Sequence, residues 1–151
     1  MKLVPTILAL AALSIGGTVA AATKASPFNV DKQGVALHGY DPVSYFELAK
    51  PEKGSPTIAF VYMRATFRFA SEENRKKFMH DQHKYLPQYG GFCAKAVSDN
   101  KLADIDPLAY KIVDGKLYLN YDHKIQLTWE KDIPERIAEA DKNWPALRAT
   151  R

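Results

Sequence analysis

The stretch IAFVYMRATFRFASEENRKKF, residues 58–78, decides how this chain folds. Ile58 to Met63 and Thr66 to Ala70 are two β-prone runs separated by a tight turn. Phe67 and Phe69 alternate with Thr66 and Arg68, the period of two that marks a half-buried strand. Ser71 then supplies an N-cap, with Glu72 and Glu73 in the first turn of a helix of about ten residues. Phe78 marks the inner face of that helix. A hairpin feeding a short helix is therefore the first structural unit.

Downstream the same grammar returns. Pro87 and Gly90-Gly91 make an irregular segment, and Phe92 to Val97 reads equally as a short strand or a short helix. Tyr110 to Val113 and Leu117 to Asn120 flank Asp114-Gly115, a strong two-residue hairpin turn. Asp122 caps a helix through Trp129, and Pro134 opens a last helix with Ile133, Ile137, Ala140 and Trp144 on one side. Upstream, Val35 to Leu37 reads as a short strand. Asp41 and Pro42 start a helix with Val43, Phe46 and Ala49 inward, and Pro51 to Pro56 is a loop. Met63 and Met79 are expected to pack within their strand and helix. This order of hairpins and short helices predicts an α+β fold, a small antiparallel sheet with short packed helices in a single domain.

The 151 residues include seven Phe, eight Tyr and two Trp, enough for the core of one small domain. Residues 1–22 have another character: Met1-Lys2, an apolar run from Leu3 to Ile15, Gly16-Gly17, then Ala20-Ala21-Ala22. That is the order of a secretory signal peptide, and the apolar run is shorter than the roughly 20 residues a membrane span needs. The expected organisation is a signal peptide over 1–22, a flexible leader over 23–29, a domain over 30–147 and a tail over 148–151. The mature protein is expected to be periplasmic or secreted, with no membrane attachment after cleavage. Loss of Lys2 takes the net charge from +4 to +3. The basic residues are scattered, with Arg75-Lys76-Lys77 read as a solvated helix side, so nucleic acid is not an expected partner. The single cysteine, Cys93, cannot pair within the chain. It is buried, bound to something, paired with another chain, or reactive.

Several segments together carry a family likeness. They are GYDPVSYF (39–46), FRFASEENR (67–75) with Phe78, KYLPQYGGFCA (84–94), Asp106-Pro107, IVDGKLYLNY (112–121) and Trp144-Pro145. The chain resembles the exported, stand-alone YHS-domain proteins of bacteria over roughly residues 30–147. Cysteine-rich relatives in that family bind heavy metals through thiolates, and the resemblance places Ser44, Ala70 and Asn74 where those cysteines stand. Soft thiolates select copper(I) and zinc, and Ser, Ala and Asn offer no such ligand. The resemblance therefore implies the framework of those relatives without their metal chemistry.

Any metal site must then be of another kind. Cys93 follows two glycines that permit unusual backbone angles. With His38 and His123 it would form a mixed thiolate–imidazole site suited to copper first and zinc second, if the fold brings the three together. His80 and His83 are expected on the surface. Tyr40, Tyr45, Tyr89 and Tyr121 lie in the family segments and are expected as core or as walls of a ligand pocket beside Cys93. No phosphate loop, zinc-protease helix or nucleophile elbow occurs. Three functions stay open: a periplasmic binding protein for a transition metal or small ligand near Cys93, a metal-free module that binds a periplasmic protein partner, and a thiol redox protein using Cys93.

Overall fold

The computed structural model describes residues 25–48 and 50–151. The expected signal peptide and Ala49 lie outside the described residues. The first hairpin pairs β1 (Ser55–Tyr62) with β2 (Ala65–Phe69), and the second pairs β3 (Asp106–Val113) with β4 (Lys116–Asn120), both antiparallel. The α+β expectation holds, with two two-stranded sheets in place of one. Helices α1 (Ser44–Glu47), α2 (Glu72–His80), α3 (Gln82–Tyr85), α4 (Ala94–Ser98), α5 (His123–Trp129) and α6 (Ile133–Ala149) surround them.

Local chemistry accounts for most of these boundaries. Ser71 Oγ accepts from Asn74 N–H at 3.1 Å and starts α2, and Asp122 Oδ1 accepts from Ile125 N–H at 2.7 Å and starts α5. Asp114 (φ 49°) and Gly115 (φ 71°) make the two-residue turn of the second hairpin. Asp41 differs from expectation: Val43 holds the position before α1, and Asp41 Oδ1 bonds Val43 N–H at 2.8 Å from two residues further out. Helix α6 runs to Ala149, two residues into the expected tail. Val35 to Leu37 forms only isolated bridges, Val35 to Thr66 and Ala36 to Val30, because a 3-10 turn over Leu37–Gly39 ends the extended run.

Strand β4 organises the interior. Leu117 and Leu119 face a core built on Phe67, Phe69 and Phe78, while Tyr118 faces a second cluster built on Trp129, Val97 and Ala140. Alternate side chains of a strand point to opposite faces, so β4 is buried on both sides and divides the two clusters. Ile133, Ile137, Ala140 and Trp144 of α6 lie in the second cluster, as the helical spacing predicts, and Leu147 joins them.

Two expectations are corrected. The flexible leader is, in its described part, packed structure. Phe28 is 6% exposed and meets Phe67 edge-on with centroids 5.3 Å apart. Asn29 N–H bonds Gly90 O at 2.8 Å. The domain therefore begins before Val30. Met63 and Met79 are exposed, not packed. Met63 (φ 45°) and Arg64 (φ 64°) form the first hairpin turn in a left-handed conformation usually left to Gly and Asn. The N-terminal arm braces this turn: Ser26 Oγ donates to Met63 O at 3.2 Å, and Arg64 Nη2 donates to Ala25 O at 2.9 Å.

Candidate functional site

Cys93 sits at the N-cap position of α4, so the segment left open between strand and helix is helical from Ala94 onward. The chain reaches it through left-handed Tyr89 (φ 54°), Gly90 (φ 60°) and Gly91 (φ 79°). Gly90 is required twice over. Its φ disfavours a side chain, and a Cβ there would lie 2.3 Å from Pro27 O. The Cys93 thiol is 1% exposed and donates to Asn120 Oδ1 at 3.7 Å, while its N–H bonds Ala103 O at 3.0 Å. Asn120 Oδ1 also accepts from Lys95 N–H at 3.2 Å, and its buried Nδ2 has no acceptor among the described residues. Burial pushes the thiol pKa up, partly offset by the N–H groups of Ala96, Tyr121 and Lys95 that face the sulfur. Cys93 therefore remains a protonated thiol at neutral pH. Alkylation of native Cys93 is expected to be slow and to track global unfolding across a denaturant series. Rapid native labelling would instead show an accessible thiolate and revive the redox reading.

Above Cys93 lies a pocket of about 320 Å³ between α4, the segment after it, and α5. Cys93, Ala96, Ala103 and Ile125 give it an apolar lining, while Lys95, Asp99, Lys101, Tyr121 and Thr128 add polar groups. Ile125 and Thr128 present one side of α5 because residues three apart are neighbours on a helix. Lys101 reaches the pocket through the way α4 ends. Asn100 is left-handed (φ 58°), its N–H bonds Val97 O at 3.0 Å, and Lys101 N–H bonds Ala96 O at 2.9 Å. That pair of bonds is a Schellman ending, which folds the chain back over the helix.

The other predicted residues are dispersed. His38 is exposed, and its Nε2 lies 2.8 Å from Asp104 Oδ1, an oxygen that also accepts from Asn29 Nδ2 at 2.8 Å and Ile105 N–H at 2.8 Å. Burial works to raise the Asp104 carboxyl, but the bonds from Asn29, His38 and Ile105 outweigh it and hold the carboxyl low. His123 is exposed at the start of α5, about 200° around the helix from pocket-lining Ile125. His80 and His83 are exposed, on helices separated at Asp81. Tyr45 is buried, donates to Pro107 O at 2.9 Å and has its pKa pushed far up by burial. Tyr89 is buried and donates to Asp141 Oδ1 at 2.9 Å. Tyr40 is half-buried beneath Lys53. Of the named candidates, only Cys93 and Tyr121 share the pocket. Among the described residues no group of three or more His, Cys, Asp or Glu side chains is placed to hold a metal ion. The donors at Cys93 do not fit copper or zinc: no imidazole or second thiolate lies beside it in the pocket, its neighbours include two ammonium groups, and Asp99 is committed to Lys95 and Arg136.

Sequence reasoning missed Lys95, Lys101, Ala103, Ile125, Thr128 and Asn120. One signal was available, the Asp99-Asn100 pair, which suits the end of a short helix and throws Lys101 back across it. The positions of Ser44, Ala70 and Asn74 do converge, around buried Asp41. Its Oδ2 accepts from Ala70 N–H at 2.8 Å and Asn74 Nδ2 at 2.7 Å, and its backbone O accepts from Ser44 Oγ at 2.7 Å. A hydrogen-bonded clasp therefore occupies the place where the family likeness puts thiolates. Compared with family models, with curated proteins and with solved structures, the chain has no match.

Proposed function

We propose that this chain is an exported binding protein of YHS-domain type that takes a small organic ligand in the pocket above Cys93. The observation that carries this reading is the pocket itself, with an apolar lining and a few polar groups at its edge, the usual composition of a ligand site. At 320 Å³ it holds a molecule of about ten heavy atoms, taking a water-sized share of about 30 Å³ for each. Export rests on the signal-peptide pattern of residues 1–22, and the family likeness rests on the segments quoted above.

The test is a screen of ten-heavy-atom aromatic and aliphatic fragments by two-dimensional amide NMR on mature protein. Binders are expected to shift Ala96, Lys101, Ala103, Ile125 and Thr128 together. Thr128→Trp, an exposed change on the pocket side of α5, is expected to weaken every such binder about tenfold or more, since it fills the volume the ligand needs. Ala96→Trp is a second, deeper block from α4. Shifts elsewhere, or shifts unchanged in both variants, would sink the pocket reading. One equivalent of copper(I) bound by the wild type and lost in Cys93→Ser would put the metal reading in its place.

A further inference from the structure

The polar groups around the pocket are unbalanced, and the imbalance has a sign. Lys95 Nζ pairs with Asp99 Oδ2, and Arg136 Nη1 lies 3.8 Å from Asp99 Oδ1, so one carboxylate serves two cations. The Lys101 ammonium has no carboxylate within ion-pair distance among the described residues. The pocket lining thus sets two lysines against one carboxylate, on which Arg136 also draws from outside the lining. What the site lacks is negative charge.

We propose that the ligand of this pocket is a small carboxylic acid with an apolar body, its carboxylate held by Lys101 at the mouth and its body against Ala96, Ala103 and Ile125. The proposal rests on the small-ligand reading of the same pocket. An apolar body removes its surface from water against the pocket lining, and the carboxylate supplies the negative charge that the rim is short of. Lys101 is suited to this role because the Schellman ending fixes its backbone while its ammonium stays uncommitted. A cationic ligand of the same size would meet the surplus positive charge and be repelled.

Benzoate, benzamide and benzamidine test this directly, since they share one shape and carry negative, zero and positive charge. Binding of each to the full mature chain is measured by amide NMR titration at low and high salt. Benzoate is expected to bind about five- to tenfold more tightly than benzamide, with benzamidine weakest. The benzoate preference should shrink at high salt. Lys101→Met keeps most of the stem and removes the charge. It should abolish the preference and weaken benzamide far less than benzoate, while Lys116→Met at the start of β4, outside the pocket, should change neither. Benzamide binding as tightly as benzoate, or a preference that survives Lys101→Met, overturns the carboxylate proposal and leaves the pocket reading standing. No pocket shift from any of the three at millimolar concentration, together with silence of the wider fragment screen, overturns both.

Discussion

Asp41→Ala is expected to lower the unfolding free energy by about 3–5 kcal/mol, the largest loss from any single polar side chain described here. Asp41 is fully buried, and its carboxylate accepts from Val43 N–H, Ala70 N–H and Asn74 Nδ2 at 2.7–2.8 Å. Alanine removes both oxygens and leaves three donors without their acceptor, one of them buried and two partly buried. Each stranded donor costs about 1–3 kcal/mol, and partial relaxation keeps the total below the sum. The three donors also belong to separate parts of the chain: the entry to α1, the end of β2 and the first turn of α2. Their common acceptor ties these parts together. Asp41→Asn, which keeps one oxygen and places an NH₂ group against the donors, should fall between alanine and wild type. Urea denaturation at fixed pH measures this. A loss under about 1 kcal/mol would mean that water reaches the donors and that the clasp is peripheral.

Gly54→Ala is the second large effect, and its cause is steric. A Cβ on Gly54 would lie 2.3 Å from the carbonyl carbon of Arg68, 2.5 Å from its oxygen and 2.5 Å from Phe69 N. All three atoms are backbone of β2, whose Phe67 and Phe69 are fixed in the core, so the neighbour has no side-chain rotation with which to yield. Gly54 N–H also bonds Gly39 O at 2.8 Å, so the segment cannot simply lift away. Forced overpacking of this kind costs about 3 kcal/mol. Gly115→Ala is the informative contrast. Gly115 has φ 71° but open space around it, so only the left-handed penalty of about 1–2 kcal/mol applies. Thermal and chemical denaturation of the two variants should rank Gly54→Ala clearly lower. Equal losses would show that the strand ending at Phe69 is free to move outward.

Particular residues show how far the sequence could be read. Ser71 and Asp122 announced their helices because an N-cap bond spans three residues and needs nothing distant. Asp114-Gly115 announced the second hairpin for the same reason. The first hairpin was legible from the alternation of Phe67 and Phe69, but its turn was not, since Met63 and Arg64 take positive φ against their own preference. What holds them there is the arm at Ala25 and Ser26, almost 40 residues away in sequence. The same arm looked like an unstructured leader because a single Phe28 carries no periodicity, and only contact with Phe67 gives it a place. Of the candidate site, Cys93 and Tyr121 were legible as chemistry, whereas Lys101, Ala103 and Ile125 carry no motif and become a site only by meeting.

The sequence by itself determined the hairpins, the capped helices and the α+β class, because each depends on residues within a turn or two of one another, and its single cysteine left one thiol with no partner in the chain. The tertiary structure alone decided what the thiol does. It buried Cys93 against Asn120, left His38 with Asp104 and His123 on the far side of α5, and placed two lysines at the mouth of an apolar pocket. The physical reason is that burial and charge balance are properties of the space around a side chain. That space is enclosed here by α4, the segment after it, and α5, elements that the chain sets down far apart and the fold brings together.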